Sequence, residues 1–529
     1  MKKKNSIKDV PWNNLPSIYN HIKNNLDTEG KKLKEEGQVL PDEIRRFKDG
    51  ELKWIAGGID GTFGHHGGGG EDTKAAKKIF SIIKELNKTN SLEKKIELYD
   101  ILRADTIIDY IDPVCDLIVK SKITPVPYLY EYAKWLTTEA PDRGPVKFGI
   151  VLLGLIGDDA DLDIIKLLGK NEEFTLYASV AISNILEDPD MELWELAKYV
   201  DGWGKIHLVE RIFETDNPQI KHWLIRDGYK NSVMYEYLAY ICAQGGDLHV
   251  ALAKKSIDEE FFNSAGEIIE ALIIGGPAEN IDDYEHAADV ITNYLKHLEP
   301  KAEKIEHLII LNTIKEYLLE PEEIWKTRKK NGWKKENRKK ALAIVNSIIE
   351  NPKWQKLVDS KLETQDESEF YKVNQVVEIL GMDIWDIHWQ RLQKNSFYSA
   401  NWYDVMRKAD NEKIAKIIKF AVATLPLTEI ATGPANEMGF GEKYNIHSCL
   451  DFILQDLVKY PSFGIELVEA GLKSPVIRNR NMALKVLSEW GQKNWTQDVE
   501  KILKEALKIE PNDDVKKRIK CLIDGKPLD

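Results

Sequence analysis

Cysteine is scarce in this chain of 529 residues. The four cysteines lie far apart, with no CxxC pair and no zinc-ribbon spacing. Isolated thiols of this kind are typical of a reducing compartment, so we expect a cytoplasmic protein. The longest apolar run, FGIVLLGLIG, has about ten residues, half of what a membrane-spanning helix needs. The N-terminal MKKKNSIKDV is basic but has no apolar stretch after it, so we predict no secretory signal and no membrane partner.

The sequence also lacks strand patterns and an excess of positive charge. Val, Ile and Thr show no sustained alternation with polar residues, which argues against a sheet. Lys and Arg number 74 and Asp and Glu number 87, for a net charge of −13. A protein this acidic is not a general binder of nucleic acid or of anionic membranes.

An internal repeat of apolar segments is present instead. Five segments, each apolar over about three helical turns, follow one another at steps of 29, 29, 29 and 32 residues. They begin at Val146, Thr175, Gly204, Val233 and Ala265. Each is apolar on nearly all sides, as expected of an inner helix that is packed on both faces.

More amphipathic segments lie between these inner helices. They open at Asp159, Asp188 and Asn217, residue types that favour helix N-caps, and two have a Pro near the first turn. The repeating unit is therefore an outer helix, a turn and an inner helix. This pattern predicts an all-α, HEAT-like α-solenoid of paired antiparallel helices. Because solenoids present extended concave surfaces, we expect a non-enzymatic scaffold that binds a protein or peptide partner.

The helical pattern returns near the end of the chain. A turn and helix follow Ser474, and a more polar helix from Asp513 is typical of a terminal cap. We predict four regions, in chain order: an N-terminal extension (1–70), a first helical array (71–320), a basic connector (321–345) and a second helical array (346–529).

The stretch GGIDGTFGHHGGGG, residues 57–70, is the most unusual in the chain. We predict a glycine-rich loop, since glycine admits positive φ and close approach by other groups. Asp60, His65 and His66 are oxygen and imidazole donors that zinc or non-haem iron would accept, with Glu71 or Asp72 as a further ligand. The alternative is a flexible loop whose histidines are solvated. The pattern matches neither a Walker loop nor a dinucleotide-binding loop.

The run KWIAGGIDGTFGHH, from Lys53 to His66, followed by a HEAT-like array, resembles a group of bacillus-type proteins often named limonene hydroxylase. The resemblance covers this motif and the general layout of the chain. It implies oxidation of a monoterpene with a flavin or nicotinamide cofactor. The residues themselves contain no dinucleotide fingerprint and no evident cofactor site, so we expect a scaffold without a cofactor. A divalent metal, or the flavin or nicotinamide that the resemblance implies, is the alternative.

Three tryptophans, Trp385, Trp389 and Trp402, gather in one region, and the first two share a helical face. They are candidates to line an apolar ligand pocket. The alternative is that they form the core between helices, as such stripes commonly do.

The basic run between Lys326 and Lys340 includes Trp333, a combination that can bind a nucleic-acid backbone and stack bases. The candidate contacts are Lys329, Lys330, Lys334 and Lys335. The alternative is a solvated connector or a helix end, which agrees better with the negative net charge. A last set, Asp201, Trp203 and His207, is a possible acid–base group but lies at a repeat junction, where structural turns are expected.

Overall fold

The computed structural model describes residues 10–46, 53–67, 72–104, 106–121, 127–461, 463–495 and 497–528. These residues contain two isolated β-bridges and no strand, so the predicted all-α class is confirmed. No helix among them combines the length and apolarity needed to cross a membrane. The chain divides into two compact units, residues 1–356 and 357–529.

The first unit begins with eight helices, the last of which is also the outer helix of the first repeat pair. They are α1 (Ile18–Asn24), α2 (Glu35–Gln38), α3 (Glu43–Arg46), α4 (Gly58–His66), α5 (Thr73–Thr89), α6 (Leu92–Ala104), α7 (Ile111–Ser121) and α8 (Pro127–Thr138). The predicted N-terminal extension lies within the first compact unit, and α1 packs against α8. The Ser17 hydroxyl caps α1 and donates to the Thr138 carbonyl at 2.5 Å.

The predicted repeat follows as pairs of outer and inner helices. The pairs are α8 with α9 (Arg143–Ile156), α10 (Leu162–Gly169) with α11 (Glu172–Ile185), and α12 (Asp190–Ala197) with α13 (Gly202–Ile212). Inner helix α9 packs on α11, and α11 packs on α13. Burial of Phe148, Ile150, Leu152 and Leu153 within α9 shows why the inner helices are apolar on all sides.

The fourth predicted inner helix departs from the pattern. After α14 (Pro218–Trp223) the chain forms a π-helical turn (Leu224–Gly228), a 3₁₀ turn (Tyr235–Tyr237) and only a short α15 (Ala239–Gly245). The Asn231 side chain accepts hydrogen bonds from the backbone N–H groups of Val233 and Met234, both at 2.9 Å. Such a local turn competes with helix formation and delays the start of the inner helix.

The stack then resumes and extends through the basic segment. The remaining helices are α16 (Leu248–Leu252), α17 (Glu259–Ile274), α18 (Ala287–Leu298), α19 (Ile305–Leu319), α20 (Glu322–Trp325), α21 (Lys335–Ile349) and α22 (Lys353–Lys361). Helix α17 packs on α19 and α19 on α21. Residues 321–345 are thus part of the first unit and not a connector between two arrays. The division falls inside α22, where the sequence shows no break in composition.

The second unit repeats the same arrangement. Its helices are α23 (Glu367–Ile379), α24 (Trp385–Lys394), α25 (Ser399–Arg407), α26 (Asn411–Thr424), α27 (Leu427–Ile430), α28 (Asn445–Leu457), α29 (Ile465–Leu472), α30 (Ile477–Trp490), α31 (Gln497–Ile509) and α32 (Asp513–Ile523). Helix α28 packs between α25 and α30, and α30 packs on α32. Both predicted C-terminal helices are present at their predicted positions.

Candidate metal centre

The glycine-rich segment, predicted as a loop, is helical over most of residues 57–67, and residues 68–70 lie outside the described part of the chain. Its described part forms α4, which starts after Gly57 in the left-handed conformation (φ 68°). Gly61 lies against the Trp203 indole so closely that a Cβ there would sit 2.2 Å from the ring. Trp203 belongs to α13, so the glycines allow α4 to pack directly on a repeat helix. Close approach is the reason for glycine at position 61, whereas a Cβ at Gly64 would meet nothing within 4 Å.

A buried ion-pair network holds α4 in place. Lys147 Nζ donates to Asp60 Oδ2 at 2.7 Å and lies 2.6 Å from Glu173 Oε1. Glu173 also accepts the Gly57 backbone N–H at 3.2 Å. The Asp60 side chain is only 3% exposed. Asp60 therefore anchors α4 through its ion pair with Lys147 and does not lie with the other predicted metal ligands.

The network continues towards the N-terminal residues. Arg143 donates to both carboxylate oxygens of Asp42 at 2.9–3.2 Å and to Glu43 at 2.5 Å. Burial on its own would raise the pKa of Glu173, but the charges of Lys147 and Arg143 hold that pKa below its usual value. The lowered pKa favours the ionised form of Glu173, and Arg143 and Lys147 are the cations that face the carboxylates of this network.

One turn beyond Asp60, α4 brings His65 to a second polar cluster. His65 Nε2 lies 3.3 Å from Glu210 Oε1, and His207 Nδ1 lies 3.6 Å from Glu210 Oε2. One donor atom from each of these three residues lies within 4.8 Å of the others. His207 and Glu210 are on α13, so two helices far apart in sequence supply the donors. We name His65, His207 and Glu210 the metal cluster.

Burial within the metal cluster favours the neutral form of His65. Burial lowers the pKa of His65, with Glu210 opposing the shift and His207 and His66 adding to it. A neutral imidazole is the form that binds a metal. Among the described residues, no lysine or arginine forms an ion pair with Glu210. The cluster thus presents two imidazoles and an unneutralised carboxylate.

Aromatic rings surround the cluster and hold His65 in position. Its ring centroid lies 5.4 Å from that of Trp203 and 5.2 Å from that of Tyr237. His207 is 5% exposed, and its Nε2 has no hydrogen-bond partner in the described part of the chain. A buried imidazole nitrogen without a partner is uncommon and is one that a ligand or a rotated ring can satisfy.

The structure does not bring the three predicted ligands together. His65 joins the metal cluster, Asp60 pairs with Lys147, and His66 Nε2 is 2.7 Å from the Tyr237 hydroxyl. Asp72 caps α5 by accepting two backbone N–H groups, and Glu71 lies outside the described residues. The sequence analysis does not predict His207 and Glu210 as candidate metal ligands. Their signal in the sequence is weak: the spacing His-x-x-Glu places both side chains on one helical face.

A cavity of about 440 Å³ lies along the side of α4. Phe63 and Gly64 of α4 line it together with apolar residues of the repeats, including Val151, Leu176 and Val180. Arg211, which follows the cluster residue Glu210 on α13, also lines it and donates to the His207 carbonyl at 2.7 Å. The cavity and the metal cluster thus share helices α4 and α13.

The three predicted pocket tryptophans belong to the core of the second unit. Trp385, Trp389 and Trp402 are 5%, 7% and 0% exposed, and the first two rings stack at 5.5 Å. The indole N–H of Trp385 donates to the Val405 carbonyl and that of Trp402 to the Ser396 carbonyl. They are packed between helices, which is the alternative that the sequence left open, and do not form the walls of a ligand pocket.

The four candidate nucleic-acid contacts, Lys329, Lys330, Lys334 and Lys335, are all exposed. The aromatic residues of the same segment are not: Trp325 and Trp333 are 8% and 3% exposed. The segment is anchored by Arg328, which forms ion pairs with Asp282 and Glu320, both at 2.6 Å. The possible acid–base group of Asp201, Trp203 and His207 is also structural in part, because Asp201 accepts the backbone N–H of Ser232 at 2.9 Å.

The fold and the cluster define an all-α helical-repeat protein with a candidate metal centre at the side of its repeat helices. No protein-family model and no curated protein matches the chain. One solved structure is similar, described as a circular tandem repeat protein with novel repeat topology and enhanced subunit contact surfaces. The two share 12% identity over 85% of this chain and 94% of that one, with a TM-score of 0.13, too low to support an argument.

Proposed function

We propose that this chain is a helical-repeat binding protein that holds one divalent transition metal at His65, His207 and Glu210. The observation that carries the proposal is the convergence of their donor atoms, within 4.8 Å of one another, from helices α4 and α13. Two histidines and one glutamate are a donor set that zinc accepts.

The distances agree with zinc after a small adjustment. Donors bonded to a tetrahedral zinc at about 2.0–2.1 Å lie roughly 3.3–3.4 Å from each other. The two distances to Glu210 are 3.3 and 3.6 Å, and all three donor atoms lie within 4.8 Å of one another, so a shift of the imidazole rings is required to reach the zinc separations. Three protein ligands leave a fourth position open, as in catalytic rather than structural zinc sites.

The proposal is tested by metal content and melting temperature of chelator-stripped protein after dialysis against zinc. The wild type is expected to retain one zinc, which at about 100 times Kd adds roughly 2.7 kcal/mol to its stability. His207→Ala and Glu210→Gln are expected to abolish both effects. His66→Ala is the matched control, because His66 is adjacent to His65 but bonds to Tyr237.

The two candidate ligand sets give opposite results. Loss of zinc in His66→Ala with retention in His207→Ala supports Asp60, His65 and His66 instead. A wild type that retains no zinc contradicts the metal centre altogether. Circular dichroism of each variant separates the loss of a ligand from the loss of fold.

A second function is favoured by the cavity beside α4. Two histidines and a carboxylate are also the ligand set of non-haem iron(II) oxygenases, and the cavity of about 440 Å³ has a mainly apolar wall. His65, His207 and Glu210 do not line this cavity, but it shares helices α4 and α13 with them. This proximity favours oxidation of an apolar substrate, the activity that the resemblance to limonene-hydroxylase-named proteins implies. Iron content after anaerobic loading, compared between wild type and His207→Ala, tests this alternative.

The predicted protein or peptide partner is part of the same proposal. Stacked helical repeats bind other proteins in many unrelated cases, which supports a partner in general terms only. The cytoplasmic location also stays a prediction.

A further inference from the structure

A second cavity lies in the first unit, in the basic segment between α20 and α21. Its volume is about 670 Å³, within the usual range for small-molecule sites. Its charged lining consists of Lys326, Lys329, Lys334, Lys335, Arg338 and Glu322. The proposed metal centre contributes no residue to it.

The floor of this cavity is a rigid aromatic cluster. Trp325 and Trp333 meet at 90° with centroids 5.4 Å apart. Their indole N–H groups donate to the Glu320 carbonyl at 3.0 Å and to the Tyr317 hydroxyl at 3.1 Å. The Arg338 guanidinium lies 4.1 Å from the Trp325 ring centroid and bonds to Glu322 at 2.6 Å. The scaffold beneath the lysines is therefore fixed before any ligand binds.

The charge of the lining is strongly unbalanced. Glu322 is its sole acidic residue, and Arg338 already neutralises it. Lys326, Lys329, Lys334 and Lys335 are exposed and form no ion pair within the described part of the chain. Helix α21, which starts at Lys335, adds the positive end of its dipole at the same place. Four unneutralised lysines on a protein of net charge −13 form a local site for an anion.

The buried aromatic rings decide which anion fits. Stacking of nucleic-acid bases needs exposed ring faces, but Trp325 and Trp333 are almost fully buried and Arg338 lies over Trp325. The lysines surround one cavity instead of lining an extended groove. We propose that this cavity binds a compact polyanion with two or more phosphate groups, and not a nucleic acid.

Isothermal titration of the full-length protein with inorganic tripolyphosphate tests the proposal. The wild type is expected to bind one equivalent saturably, with an affinity that falls as salt rises. Lys329→Gln with Lys334→Gln is expected to weaken binding at least about tenfold, since two charge-assisted contacts are lost. Lys339→Gln with Lys340→Gln is the matched control, because both lysines are exposed on α21 but lie outside the cavity lining.

Tripolyphosphate also chelates divalent ions, so the titration is repeated in the His207→Ala background, which lacks the proposed metal centre. Equal weakening by both lysine pairs would overturn the proposal and indicate general surface charge. Tighter, cavity-dependent binding of a thymidine 20-mer (about 20 nucleotides, longer than most single-strand sites) would identify a nucleic-acid site instead. The absence of saturable binding would also overturn it.

Discussion

Two polar clusters lie on the same short helix, α4, and they differ in how their charges are matched. Around Asp60, the buried carboxylates face the cations of Lys147 and Arg143 at 2.5–3.5 Å. Around His65, one carboxylate faces two imidazoles and has no lysine or arginine partner among the described residues. Every carboxylate of the first cluster lies against a lysine or arginine, although Asp60 Oδ1 has no hydrogen-bond partner in the described part of the chain. We call it the ion-paired cluster, whereas the second is a set of electron-pair donors without a cation.

This difference separates structural from functional polarity within one motif. A buried network of ion pairs fixes the position of the helix that carries it, since breaking the network leaves charges unpaired in a poorly solvated interior. An incomplete set of donors is costly to assemble and is commonly found at ligand sites. Asp60, His65 and His66 lie within seven positions of the sequence, but only the packing of α4 brings Asp60 to one cluster and His65 to the other.

The largest expected effect comes from breaking the ion-paired cluster around Asp60. Lys147→Met leaves Asp60 buried without its cation and Glu173 with Arg143 alone, at 3.5 Å. We expect a loss of about 3–5 kcal/mol in unfolding free energy. Differential scanning calorimetry of the first unit's transition measures it. Lys166→Met is the control, because its pair with Glu192 at 2.9 Å is partly exposed and contributes about 1 kcal/mol or less. Similar losses in both variants would contradict a special role for the buried network.

A smaller effect is expected from disturbing the contact that aligns both clusters. Gly61→Ala places a Cβ 2.2 Å from the Trp203 indole, whereas Gly64→Ala on the same helix meets nothing within 4 Å. We expect the first substitution to cost about 1–3 kcal/mol and to weaken zinc binding. The second is expected to stabilise by roughly 0.5–1 kcal/mol, through the higher helix propensity of alanine. Equal melting temperatures for the two variants would show that α4 does not pack on Trp203.

The smallest effect is a dependence of stability on pH at Glu172, the residue before Glu173 of the ion-paired cluster. Burial, with a contribution from Asp201, raises the pKa of Glu172 to about 7, although its carboxylate accepts the Trp203 backbone N–H. A raised carboxyl pKa means that the folded state holds the proton more tightly. Stability is therefore lost as pH rises from about 4.5 to 7 and is not regained above that range.

Glu172→Gln removes this loss while keeping an acceptor for the Trp203 N–H. We expect the variant to gain about 1–2 kcal/mol over wild type at pH 8 and little at pH 5, after allowance for partial solvation. Thermal unfolding at both pH values measures the difference. The exposed Glu214→Gln controls for removal of one negative charge. A gain that is the same at both pH values would contradict the raised pKa.

Much of the repeat architecture is readable from local pattern. Helices α9, α11, α13 and α17 lie where the apolar segments predict them. The reason is that buried positions of a helix recur every three or four residues, so the spacing of apolar residues in the sequence marks them. The exception at Asn231 arises from side-chain hydrogen bonds to its own backbone, which a hydrophobic pattern does not record. The basic segment was predicted as a connector because its charges dominate the composition, while the buried Trp325 and Arg328 that anchor it are few.

The sequence by itself determined the helical class, the helix-pair repeat and the presence of donors at Asp60, His65 and His66. Only the tertiary structure decided that the glycine-rich segment is a helix, that Asp60 pairs with Lys147, and that His65 meets His207 and Glu210. The physical reason is range. Helix periodicity depends on neighbours three or four residues apart, whereas a metal cluster depends on which distant surfaces pack together, here through the contact between Gly61 and Trp203.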